Sequence, residues 1–389
     1  MITHSQNEIL SCLAAALFHS SYTPSPSADW EEILREAREQ TVLTLVYPVL
    51  RDILSPKIRE KWENRSLNTL AANIRIDYEH GELHELMIER SVPYTTVKGL
   101  CSASYYPDPL KRMMGDVDFL VAPEDLSRAG SALEERGILP RREHNEDHHI
   151  EYFHGAVCWE MHFSINGIPD NDKASVIQHY LADVIERSQL IEINGMSCRV
   201  PSPFHHGLIM LLHIVQHQTN GGGIGLRHLC DWAVYAWQVD ISAFRQQLSE
   251  MGLWTFACQL TALCVRYLGM PAPEYLPECD IEFLEMLLQD VMDAGNFGRK
   301  QENRGVALRM VKKSNMLLSL AARTQDYFPL LKTYKLFLPF GMLAYAVRFC
   351  WLRLTGKREW VNSNALKQAT QRKRLYEHFR LFEDDHSIQ

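Results

Sequence analysis

The run Gly115-Asp116-Val117-Asp118-Phe119-Leu120-Val121 constrains this chain more than any other stretch. Val117, Phe119 and Val121 share one parity, and Asp116 and Asp118 share the other. Side chains alternate along a strand, so this pattern predicts an apolar face turned into a core and two carboxylates on the opposite face. Two like charges held side by side repel each other unless a cation lies between them. A hard divalent ion with oxygen ligands, such as Mg²⁺ or Mn²⁺, meets that need. Paired ions of this kind can hold the attacking and leaving oxygens of an in-line phosphoryl displacement.

The neighbouring sequence predicts a compact α/β unit around this strand. Tyr94 to Val97 is a short β-type run, followed by Lys98-Gly99 and by one or two helical turns over Leu100 to Tyr106. Pro123 and Gly137 bracket a helix. Ile150 to Phe153 and Val157 to Ile165 read as strands, and Asn194-Gly195 between two apolar runs is a hairpin signal. Before residue 90 the chain reads as helical, with Trp30 to Glu39 capped by Asp29 and a long helix over Ile58 to Arg90. From Ser202 onward helices are expected over Pro203 to Gln218, Leu226 to Trp237, Ile241 to Met251 and Thr255 to Leu268. The Gly221-Gly222-Gly223 run lacks the Lys-Ser/Thr pair of a P-loop and reads as a plain loop. Three regions are expected: 1–90, helical; 91–200, the α/β unit; 201–389, helical.

The strand Val157 to Ile165 supplies a candidate third carboxylate. Trp159, Met161 and Phe163 share one face, and Glu160, His162 and Ser164 share the other. Taken alone, Glu160 fits equally a solvated strand face and a metal site. Further on, His213 and His217 are four apart on an apolar helix, but His213-Ile-Val-Gln-His217 lacks the Glu of H-E-x-x-H, so packing or cleft lining is expected rather than zinc. Arg227 and Asp231 are also four apart, which fits either a surface ion pair or a cleft. Arg112 fits a phosphate contact, or a surface pair with Asp108 or Glu124. His144, His148, His149 and His154 are expected on solvated loops and a strand, with His149 the one best placed to approach the acidic residues.

Taken in order, Lys98-Gly99, Tyr106-Pro107, Arg112, Asp116-Val117-Asp118, Glu160-Met161-His162, His213 with His217, and Leu226-Arg227 with Asp231 resemble an uncharacterised bacterial family of the polymerase-β-like nucleotidyltransferase superfamily. The resemblance covers roughly residues 95 to 235. It implies an α+β fold: a small mixed-sheet nucleotidyltransferase core flanked by an N-terminal helical segment and a larger C-terminal helical domain. It also implies Asp116, Asp118 and Glu160 as metal ligands, with Glu160 completing the metal site or acting as base. Lys98, Gly99, Arg112, Gly115, His162, Arg227 and Asp231 would line the nucleotide or acceptor cleft. Where the wider superfamily has Gly-Ser after the first strand, this chain has Lys98-Gly99-Leu100-Cys101. The glycine still admits close backbone approach, and the lysine replaces a hydroxyl with a charge.

Composition narrows the acceptor. A net charge of -8 without a basic tract disfavours a polymer-extending role on nucleic acid. The resemblance therefore implies an NTP donor and a small-molecule, peptide or protein acceptor; a non-catalytic nucleotide- or partner-binding protein on the same fold is the alternative. Nine scattered cysteines without a C-x-x-C pair suit a reducing compartment, and the N-terminal run lacks the basic region of a signal peptide, so a cytoplasmic protein is expected. Phe337 to Leu354 is apolar and aromatic but holds Pro339, Gly341, Arg348 and Arg353; it is expected to be a helix packed in the core, with a surface or membrane-interface helix as the other reading.

Overall fold

The computed structural model describes residues 2–145, 148–219, 222–300, 304–311, 320–321, 324–325, 327–355 and 363–383. Its α+β architecture sets one small mixed sheet against many helices. Strand β2 (Asp116–Val121) lies between β1 (Tyr94–Thr96) and β5 (Val157–His162), with β4 (His149–His154) and β3 (Leu139–Asn145) beyond β5. β2 and β5 run parallel, and the other pairings are antiparallel. The parallel pairing sets Val117 against Trp159, Asp118 against Glu160 and Phe119 against Met161. β5 closes at His162, before the expected Ile165.

The alternation in β2 explains why the sheet sits where it does. Val117, Phe119 and Val121 are buried with Trp159 and Met161 in one apolar cluster. Helix α4 (Pro56–Glu89) adds Ile76, Leu83, Leu86 and Met87 from beneath, and α6 (Leu126–Glu135) adds Ala129 and Leu133. The predicted hairpin is present: β6 (Gln189–Ile193) and β7 (Met196–Val200) are joined by Asn194 and Gly195, both at positive φ, as a tight primed turn requires.

A second, larger core lies among helices drawn from both ends of the chain. It joins α1 (His4–Phe18), α2 (Trp30–Glu39) and α3 (Leu43–Leu50) to α8 (Pro203–Thr219), α9 (Leu226–Gln238), α11 (Trp254–Leu268) and α12 (Ile281–Ala294). The expected cap of α2 is made: Asp29 Oδ1 accepts from the amides of Glu31 and Glu32, both at 3.1 Å. At its other end the fully buried Gln40 donates to the carbonyl of Met292 at 3.1 Å and accepts from the amide of Leu226 at 2.9 Å. One side chain thus ties α2 to the end of α12 and the start of α9. Leu120, on the carboxylate face of β2, belongs to this helical core, so that face of the sheet looks toward α8 and α9.

One expectation is corrected. Leu338–Leu354 is a helix, but among its described side chains none is buried in either core. Buried side chains in this part of the chain come instead from Ala307 and Leu308 of α13 (Arg304–Val311) and from Leu375 and Phe379 of the helix Ser363–Phe379, and α13 packs on that helix.

Candidate active site

Asp118 is 2% exposed, and its Oδ1 accepts from Lys98 Nζ and from His162 Nε2, each at 2.8 Å. Glu160, opposite it on β5, puts Oε2 3.9 Å from Lys98 Nζ and 3.4 Å from His162 Nε2. The Lys98 ammonium therefore lies between the two carboxylates. Lys98 itself has φ 58°, the left-handed region that a non-glycine residue occupies at a cost of about 1–3 kcal/mol. The ion pair with Asp118 is one compensation, and the bond from the Val97 amide to the Asp118 carbonyl at 3.0 Å is another.

Electrostatics divides the acidic pair. Burial opposes ionisation of Asp118, but Lys98 and the His162 hydrogen bond outweigh it and hold the carboxyl well below its usual range. The Asp118 charge, then burial, push Asp116 up to about 7. At neutral pH the pair is thus short of positive charge at Asp116, the condition that a divalent ion relieves. Burial and Lys98 disfavour the His162 imidazolium, yet its hydrogen bonds to Asp118 and Glu160 prevail and raise its pKa.

The donor atoms suit a metal. Within each of three sets the ligand atoms lie within 4.8 Å of one another: Asp118, Glu160 and His162; His149, Glu151 and Glu160; His148, His149 and His162. Asp116 lines the same cavity but belongs to none of these sets. Glu151 was not anticipated, and His149 is buried, not solvated. The pairing of β4 with β5 explains both, because it sets Glu151 against Glu160 and His149 against His162. The alternation of His149 and Glu151 along β4 was the available signal. His154 turns away and meets Glu79 at 2.7 Å, and the side chain of His144 lies outside the described residues.

The facing wall comes from α8, α9 and the turn around Phe297, and encloses a cavity of about 430 Å³. Two expectations change here. Arg112 does not meet Asp108 or Glu124 and is not a free phosphate contact: its Nε and Nη2 grip Asp231 at 2.9 and 2.7 Å, and Tyr106 donates to Asp231 at 2.7 Å. Asp231 is thereby taken from Arg227, so the i,i+4 pair does not form. Burial opposes the Asp231 charge, but Arg112 wins and lowers its pKa to about 2. Arg227 instead donates to the Met113 carbonyl at 3.1 Å and to Asn296 at 3.3 Å, and lies 5.5 Å from the Phe297 ring centre. Among the described residues no carboxylate lies within ion-pair distance of it, and its Nε is buried without a partner.

His213 and His217 line the cavity with their rings 4.4 Å apart, and His228 and Phe297 complete a ring cluster. Burial holds all three imidazoles neutral, with His217 down to about 4 and the other two well below their usual range. Gly99 and Gly115 also border the cavity, and a side chain at Gly99 would approach the Asp116 carbonyl to 3.8 Å.

Residues 26–269 match a protein family described as uncharacterised nucleotidyltransferase. The chain belongs to this family. The match spans both the acidic strands and the α8–α9 wall, so the sheet-to-helix cleft lies within the nucleotidyltransferase region, whereas Asn296 and Phe297 lie beyond it. No curated protein and no solved structure matches the chain. Family membership implies a nucleoside triphosphate as substrate.

Proposed function

We propose that this nucleotidyltransferase moves NMP from an NTP to a hydroxyl of a small-molecule, peptide or protein acceptor, on a polymerase-β-like site in the region 91–200, in a bacterial cytoplasm. One observation carries the reading: Asp118 and Glu160 stand side by side on adjacent parallel strands, with Asp116 one pleat away, all facing a cavity that holds Lys98 and Arg227. Asp116, Asp118 and Glu160 would hold Mg²⁺ or Mn²⁺, with His162 as a neighbouring donor. The bound ion supplies charge neutralisation and alignment of the attacking and leaving oxygens.

The chain's own residues do the rest. Arg227 offers donors with no competing carboxylate among the described residues, which suits it to a polyphosphate. Lys98 adds a second positive charge beside the acidic group. Glu160, at the edge of the carboxylate set and less buried than Asp118, is placed to take a proton from an acceptor hydroxyl. Asp231 fixes Arg112 and Tyr106, which sets the wall from which Arg227 projects. This catalysis rests on positioning and on fixed charge.

A second reading has an observation of its own. The Lys98 ammonium sits between Asp118 and Glu160, where it satisfies both carboxylates without an ion. That favours a nucleotide- or partner-binding protein that has kept the fold. One experiment separates the two: binding of ATP, GTP, CTP and UTP with and without Mg²⁺ or Mn²⁺, for wild type and for Asp116→Ala/Asp118→Ala, followed by pyrophosphate release with the NTP that binds. Metal-dependent binding that the double substitution abolishes, with pyrophosphate release, supports transfer. Binding that ignores both the metal and the substitution supports the second reading.

A further inference from the structure

The segment 327–355 lies beyond the family match and is unlike the rest of the surface. On the helix Leu338–Leu354, residues Phe340, Leu343, Val347, Trp351 and Leu354 recur at three- and four-residue steps and form one exposed stripe. Exposure runs from 50% at Trp351 to 84% at Leu336, just before the helix. The opposite face is covered by its own chain: a side chain at Gly341 would come within 2.3 Å of Leu331, Tyr345 packs on Tyr327, and Arg348 lies 4.6 Å from the Tyr327 ring centre. A helix that is apolar on both faces requires an apolar medium on the uncovered one.

Charge says which medium. The chain as a whole carries -8, yet from Tyr327 to Arg358 it contains Lys332, Lys335, Arg348, Arg353, Lys357 and Arg358 and no Asp or Glu. Lys332 and Lys335 are exposed just ahead of the apolar stripe. Even with Asp326 and Glu359 at its two borders the stretch is net positive, so a second copy docked through it would set like charges against each other. An anionic lipid surface offers negative headgroups to the cations and acyl chains to the stripe. We infer that residues 327–355 form a docking surface for an anionic bilayer. Lys335–Leu352 is long and apolar enough to cross a bilayer, but the helix is placed in the interface plane because one of its faces is already occupied by its own chain and Arg348 falls within the stretch. Tyr334 and Trp351 are exposed here, and Tyr and Trp are the aromatic residues that membrane interfaces favour.

Flotation of the full chain with phosphatidylcholine vesicles, with and without phosphatidylglycerol, tests this. The expected result is association with the phosphatidylglycerol vesicles that weakens with salt. Leu343→Asp/Val347→Asp then lowers partitioning by roughly ten-fold or more, and Lys332→Glu/Lys335→Glu lowers it by a similar factor. Both pairs are exposed, so the variants fold, and an unchanged thermal transition checks this. Two results overturn the inference: no flotation with either vesicle, or flotation that the variants leave intact. A dimer in solution that Val347→Asp dissociates, without flotation, would assign the surface to a second copy instead. The readout does not depend on the nucleotide site, so failure here leaves the transferase proposal untouched.

Discussion

At the scale of single residues, the two arginines that line the cavity have opposite duties. Arg112 is 4% exposed, and its charge is met by Asp231. Removing one member of a buried pair leaves the other uncompensated, at a cost of about 3–5 kcal/mol. Asp231→Ala is therefore expected to lower stability by that amount in urea unfolding, while Arg227→Ala costs about 1 kcal/mol or less. Arg227→Ala should instead weaken NTP binding by roughly ten-fold, as loss of a charged hydrogen bond does. Equal effects on stability would refute this division. A pH prediction belongs here as well. Burial lowers the pKa of His80, His206 and His217 from 6.5 to about 4. The unfolded chain takes up these protons near pH 6.5 and the folded chain resists them until about pH 4, so stability falls as pH drops through that window. Urea midpoints that stay flat across it would count against neutral buried imidazoles. Asp116 and Asp118 were legible in the sequence because a strand has period two. The Arg112–Asp231 grip was not: its partners are 119 residues apart, and the helical i,i+4 rule pointed to Arg227.

At the scale of elements, the cleft depends on how closely α8 approaches α9. A side chain at Gly207 would meet the Tyr235 hydroxyl at 2.2 Å, and that hydroxyl donates to the Pro203 carbonyl at 2.8 Å. Gly207→Val is expected to push the helices apart and cost about 1–3 kcal/mol by overpacking. It should also weaken nucleotide binding, since His213 and His217 ride on the same helix, and calorimetry together with binding would show both losses. Strands and helices with a clean period could be read in advance. β3 could not, because Leu139-Pro-Arg-Arg-Glu-His-Asn145 shows no alternation, and without it the sheet order that brings His149 and Glu151 to Glu160 stays hidden. α3 carries Pro48 in its interior, which hides a buried helix behind a breaker residue. Leu338–Leu354 was recognisable as a helix, but composition alone does not distinguish a core from a bilayer as its apolar surroundings.

At the scale of the whole molecule, the helices of the first 50 residues complete a core whose other members lie mostly beyond residue 203. Deleting residues 1–50 removes Ile9, Leu13, Leu17 and Val46 from that core and Gln40 from the start of α9. Such a truncation is expected to lose its cooperative thermal transition and to aggregate, although both acidic strands remain. A soluble, cooperatively melting fragment would show that the nucleotidyltransferase region stands alone.

This interlock also has a consequence for how the protein is made. As the chain leaves the ribosome, α1 emerges ahead of the helices it packs on, with the side of Ile9, Leu13 and Leu17 that will be buried. α3 and α2, which follow directly, cover part of that side, but α11, which packs on it as well, begins only at Trp254. At a synthesis rate of about 5–20 residues per second, α1 waits many seconds for α11 to complete its cover. During that interval its apolar side is available to a chaperone, which makes the first helix the place to look for such capture on stalled nascent chains.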